Sequence, residues 1–157
     1  MTSLKIFLPD ETATSRLGAV LAGLLRSGDT VLLNGPIGAG KTHLAREFIQ
    51  NFLGQREEVP SPSFTLVQTY GKAGAEVWHA DLYRLSHPDE VIELGLVDAF
   101  DTAICLIEWP DKLGSISPKN ALTVALTAKG EGRLAELSGP TRAELLDKIS
   151  TAWATNV

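Results

Sequence analysis

The chain has 157 residues, 44% hydrophobic and 21% charged, a balance that describes a globular protein with a buried core and excludes a disordered or fibrous one. Its 14 basic residues are outnumbered by 19 acidic ones, a net charge of −5, which excludes a domain that grips nucleic acid by its own charge; contact with nucleic acid is expected to run through a partner. The single cysteine, Cys105, excludes an intrachain disulfide and lies in the apolar run 103–107 as a small buried hydrophobe.

In chain order, Leu4 to Leu8 is a short apolar run closed by Pro9 and reads as a strand. Pro9 and Asp10 come too early for a secretory leader, and no apolar run approaches the ~18 residues of a membrane helix, so the expected location is the cytoplasm, away from membranes. Asp10 caps a helix with apolar positions Leu17, Val20, Leu21, Leu24 and Leu25, ended by Gly28-Asp29. Thr30 to Leu33 reads as a buried strand, and Lys41 to Phe52 as a helix with Leu44, Phe48, Ile49 and Phe52 on one face. Phe64 to Tyr70 and Glu76 to Ala80 read as a hairpin around Gly71 to Gly74. Ser86 is placed to cap a helix with Pro88, Asp89 and Glu90 in its first turn, where the two acids need no chemical role. Ile104 to Ile107 is another buried strand. Leu122 to Thr127 and Arg133 to Leu137 form a second hairpin around Lys129 to Gly132, and Thr141 to Trp153 is a closing amphipathic helix. The expected fold is α/β, one domain over residues 1–157, a P-loop NTPase-like three-layer arrangement with a mostly parallel central sheet and antiparallel additions.

Between the second strand and the second helix lies Gly35-Pro36-Ile37-Gly38-Ala39-Gly40-Lys41-Thr42, a full match to G-x-x-x-x-G-K-[ST] in the context that motif requires. Glycines let the backbone wrap phosphate oxygens, and the helix start aims amides and a positive dipole end at them. Ile37, Gly38, Ala39 and Gly40 are therefore expected to line the phosphates, with Lys41 supplying positive charge and Thr42 a hydroxyl for Mg²⁺.

Such a loop needs a facing carboxylate, and Glu108 follows a buried strand directly. Asp81 is the second candidate, either in the magnesium shell or orienting the attacking water. His79 shares its face of the strand; a metal pair lacks a third ligand there, so a structural or hydrogen-bonding histidine is the better reading. Ser61-Pro62-Ser63-Phe64 is either a plain turn or a switch loop that senses the outer phosphate through Ser61 and Ser63. Trp109-Pro110 is either core filling or a partner-facing anchor.

These segments, with Thr14-x-x-Leu17-Gly18, His79-Ala80-Asp81-Leu82-Tyr83-Arg84-Leu85, Glu93-Leu94-Gly95-Leu96, Ile107-Glu108-Trp109-Pro110 and Gly132-Arg133, resemble the bacterial TsaE (YjeE) family in the same order through nearly the whole chain. The resemblance implies an ATPase of tRNA threonylcarbamoyladenosine formation that acts with TsaB and TsaD and reaches tRNA through them. It implies ATP and Mg²⁺ as cofactors, Thr42 and Glu108 on the metal, and Lys41, Asp81 and Glu108 in hydrolysis. It also implies Glu11 and Arg133 near the base or phosphates. The family's usual Gly-Asp-Leu-Gly is here Gly35-Pro36-Ile37-Gly38, and its Ser-Pro-Thr-Phe is Ser61-Pro62-Ser63-Phe64. Two other functions fit a phosphate loop: a small-molecule kinase, and a nucleotide switch without hydrolysis. No Asn-Lys-x-Asp is present for guanine, so adenine is favoured.

Overall fold

The computed structural model describes residues 2–155. Strand β1 (Ser3–Leu8) leads into α1 (Glu11–Leu24), β2 (Thr30–Asn34) and α2 (Lys41–Leu53). The hairpin β3 (Val67–Lys72) and β4 (Ala75–Asp81) follows, then the short helices α3 (Asp89–Glu93) and α4 (Leu96–Thr102) and strand β5 (Ile104–Glu108). A 3₁₀ segment (Pro110–Ile116), the hairpin β6 (Leu122–Lys129) and β7 (Gly132–Ser138), and α5 (Ala143–Thr155) complete the chain. The seven strands form one sheet in the order β1-β7-β6-β2-β5-β4-β3. Its centre, β6-β2-β5-β4, is parallel, and β1, β7 and β3 add antiparallel, the mixed α/β arrangement read from the pattern.

Strand alternation splits the core into two sides. Val31, Leu33, Ile104 and Leu106 pack with Leu17, Leu21, Phe48, Ile49 and Leu146 of α1, α2 and α5. Cys105 and Ile107 pack with Leu96, Ala99, Phe100 and Leu113 on the other side. All five residues of β5 are buried, as befits a parallel strand covered on both faces. Burial pushes the Cys105 thiol up to about 12 from an ordinary 9.0, against a smaller opposing effect from the Thr30 hydroxyl. The thiol is therefore expected to resist an aromatic disulfide reagent at mildly alkaline pH until the protein unfolds. Immediate stoichiometric labelling of the folded protein would contradict this burial.

Several boundaries differ from the sequence reading. Helix α1 stops at Leu24 rather than at Gly28, because Leu25 turns extended and sinks into the core, while the Asp29 carboxylate accepts the Arg26 N–H at 2.7 Å. Strand β3 starts at Val67, not Phe64: Leu66 N–H bonds to Pro62 O at 2.7 Å and Leu66 sits at φ 67°, so residues 62–66 turn and leave Phe64 exposed. Ser86 does not cap α3. Its N–H and that of His87 donate to Glu90 Oε1 (3.1 and 3.0 Å), and Pro88 is the cap residue. Gly95, at φ 82°, ends α3 and opens α4, a helix the sequence reading did not separate. Helix α5 begins at Ala143 rather than Thr141. Among the described residues, no helix is long and apolar enough to cross a membrane.

Candidate functional site

The parallel centre brings three strand ends to one edge. Leu33 pairs with Glu108 across β2 and β5, and Asp81 pairs with Glu108 across β4 and β5. The loop after β2 therefore starts beside both acids, at the carboxyl ends where open α/β sheets form their crevices. Gly35 (φ 150°) is the first fixed point of that loop. A Cβ there would lie 2.6 Å from Leu126 O and 3.1 Å from the Ala39 Cβ, so no side chain fits between loop and β6. Gly40, at φ 100°, is the cap residue of α2 and brings its first amides round in a left-handed conformation. A Cβ on Gly38 or Gly40 would meet no atom of the described residues within 4 Å, so open space lies over the concave backbone.

The resulting cavity, about 440 Å³, is lined by this loop and by Ser61, Ser63, Asp81, Tyr83, Glu108 and Trp109. Lys41 is buried; its ammonium donates to Gly35 O and lies 3.5 Å from the centroid of the Trp109 ring. Burial lowers the Lys41 pKa, and Glu108, Asp81 and Asp111 act against that fall. Thr42 Oγ1 donates to Glu108 Oε1 at 2.8 Å, and Glu108 Oε2 is 2.7 Å from Nε2 of the fully buried His79. Asp81 Oδ1 accepts the Tyr83 N–H at 3.0 Å and Oδ2 accepts the Ser63 hydroxyl at 3.3 Å; Ser61 and Ser63 hydroxyls are 2.8 Å apart. Lys41, Thr42, Asp81, Glu108, Ser61 and Ser63 thus share one cavity wall.

Ile37 rims this cavity and is 77% exposed, so the apolar residue of the loop is offered outward. Glu11 and Arg133 lie elsewhere, in a second cavity of about 270 Å³ on the far side of the loop, together with Thr14, His43 and Glu131. Arg133 clamps the loop from there, Nε donating to Ala39 O (3.1 Å) and Nη2 to Gly38 O (3.0 Å). Ala39 itself is buried between loop and core. His43 lines both cavities and was missed in the sequence; its position directly after Thr42 was the available signal. Trp109 turns out to do more than fill the core. At φ 58° it projects its ring between Lys41 and Tyr83, whose ring centroid is 4.9 Å away.

Thr42 and Glu108 offer hard oxygen ligands converging within 2.8 Å, the donor chemistry that suits Mg²⁺. Among the described residues, no three His, Cys, Asp or Glu side chains are grouped to hold a metal by themselves.

Sheet order and site together define a mixed α/β protein with a glycine loop and two strand-end carboxylates facing one crevice. Residues 8–135 match the family model described as Threonylcarbamoyl adenosine biosynthesis protein TsaE. The chain belongs to the TsaE family. It is 40% identical over 147 residues to the tRNA threonylcarbamoyladenosine biosynthesis protein TsaE of Haemophilus influenzae, covering 90% of this chain and 92% of that one. Against the protein of the same name from Nostoc it is 37% identical over 153 residues, covering 94% and 92%. The crystal structure of YdiB from Bacillus subtilis superposes with a TM-score of 0.79 at 26% identity, over 96% of this chain and 97% of YdiB.

Proposed function

We propose that this protein binds ATP with Mg²⁺ in the crevice beside Lys41 and hydrolyses it to drive an assembly that makes threonylcarbamoyladenosine in tRNA. The convergence of Lys41, Thr42, Asp81 and Glu108 on one cavity carries this reading. In it the α2 amides and the Lys41 ammonium bind the phosphates, and Thr42 and Glu108 hold the metal. Mg²⁺, when bound, neutralises charge on the phosphate oxygens. Asp81 orients the attacking water or the metal's water shell. The Ser61–Ser63 loop, bonded to Asp81, responds to the outer phosphate. Glu11 and Arg133 serve the nucleoside side of the loop. The whole chain acts as one ATPase domain in the cytoplasm, with TsaB and TsaD as partners and tRNA held by the complex.

Phosphoryl transfer is slow where no arginine stabilises the transferring group. Arg84, the one arginine among the described residues lining the cavity, is engaged 4.5 Å from the Phe64 ring centroid. Turnover is therefore expected to be slow for the isolated protein and to rise markedly, by up to about 10³-fold, when TsaB and TsaD are added. Phosphate release with and without the partners measures this. A fast rate that ignores both partners would remove the reason for placing the activity in an assembly.

A further inference from the structure

We infer that His79 is a positioning residue for the metal-binding carboxylate, holding Glu108 turned toward Thr42 before any ion arrives. The inference rests on the metal role proposed above for Thr42 and Glu108.

His79 lies on β4 two residues before Asp81 and faces the same side of the sheet. Its Cα partner on β5 is Leu106, so Glu108 lies one step further along the same face. The imidazole is fully buried, a costly place for a polar ring unless it gains a hydrogen bond. It gains one, to Glu108 Oε2 at 2.7 Å, while its Nδ1 has no partner among the described residues. This ring is tied through one nitrogen to one carboxylate oxygen, and the other oxygen of that carboxylate meets Thr42 at 2.8 Å.

A glutamate's terminal torsion is broad and roughly two-fold, and its side chain carries considerable rotamer entropy. The His79 bond removes that freedom in advance, the usual service of a group behind a metal ligand. Without it, the Glu108 carboxylate can swing from Thr42 toward the Lys41 ammonium, whose charge acts on it. The metal-free nucleotide contacts, made by the loop amides and Lys41, do not pass through His79. Loss of the ring should therefore separate metal affinity from metal-free nucleotide affinity.

The test uses the full chain and the variants His79→Leu, His79→Asn and His79→Gln, with Mn²⁺ as the metal probe. Free Mn²⁺ is followed by electron paramagnetic resonance in the presence of saturating ADP, and ADP binding in EDTA is followed by calorimetry. Leu removes the donor, and Asn is too short to reach Glu108; both are expected to weaken Mn²⁺ by about 10- to 100-fold while ADP binding in EDTA stays at the wild-type level. Gln places its amide nitrogen near the position of Nε2 and should recover most of the loss. Should the Leu variant not fold, the contrast between Gln and Asn decides. Wild-type Mn²⁺ affinity in the folded donor-less variants, equal loss in Gln and Asn, or a matching loss of metal-free ADP binding overturns the inference. If the wild-type protein itself binds ADP but no variant differs, His79 alone is dismissed; if it binds neither ADP nor Mn²⁺, the nucleotide reading falls first and His79 with it.

Discussion

Replacing Lys41 by alanine is expected to weaken nucleotide binding by about 2–5 kcal/mol, the range for removing one partner of a desolvated charge pair. That is roughly 30-fold in affinity at the least. The physical reason is the position of the ammonium. It is buried beside the loop, and burial has already lowered its pKa. A folded-state pKa below the unfolded one means that the unfolded chain holds the proton more tightly, so the charged lysine costs stability below that lowered value. Lys41→Ala should bind nucleotide far less well, the loss exceeding any change in melting temperature from the missing Gly35 O and Trp109 contacts. The same sign fixes the pH dependence. The Lys41 charge is fully present below its lowered pKa and is lost as pH rises through it, so ATP affinity should decline at alkaline pH earlier than an exposed lysine would dictate. Calorimetric titration from neutral to alkaline pH reads both effects. A variant that melts early yet binds ATP normally would make Lys41 a structural residue.

The second large effect is expected at Glu108. Loss of this carboxylate should lower turnover by about 100-fold or more, the scale for removing one charge-stabilising group from a reaction centre. Binding of nucleotide without metal should suffer much less, since amides and Lys41 carry it. Glu108→Ala has a side effect: it strips both Thr42 and the buried His79 of their acceptor, and an orphaned buried donor costs about 1–3 kcal/mol of stability. Glu108→Gln keeps the shape and two hydrogen-bonding positions while removing the charge, and so isolates the chemical part. Turnover and EDTA-phase binding are measured on both variants. Equal loss of both in the Gln variant would mean that the acid supports the fold rather than the reaction.

Much of the architecture was readable because its signals are contiguous. The glycine loop needs a strand before it and a helix after it, and all three lie within residues 30–53. The second hairpin, β6-β7, was legible from its turn residues, and β5 from an apolar run that no exposed strand could carry. The hairpin β3-β4 was only half legible. Phe64 and Thr65 have strand-like chemistry, yet the Leu66–Pro62 hydrogen bond closes a turn there first.

What the chain determined by itself is local: where α1 and α2 start, that β5 is buried on both faces, that a glycine loop joins β2 to α2, and that Asp81 and Glu108 end strands. Only the tertiary structure decided that β4 lies beside β5 and β5 beside β2, which sets Asp81, Glu108 and the loop in one row. It alone brought His79 to Glu108, Trp109 to Lys41 and Arg133 to the carbonyls of Gly38 and Ala39. These partners are 29, 68 and about 94 residues apart in the chain (109 − 41 for the second), and no period in a sequence encodes a pairing at such distance. Strand order is settled by burying both faces of the sheet at once, a property of the packed whole rather than of any segment.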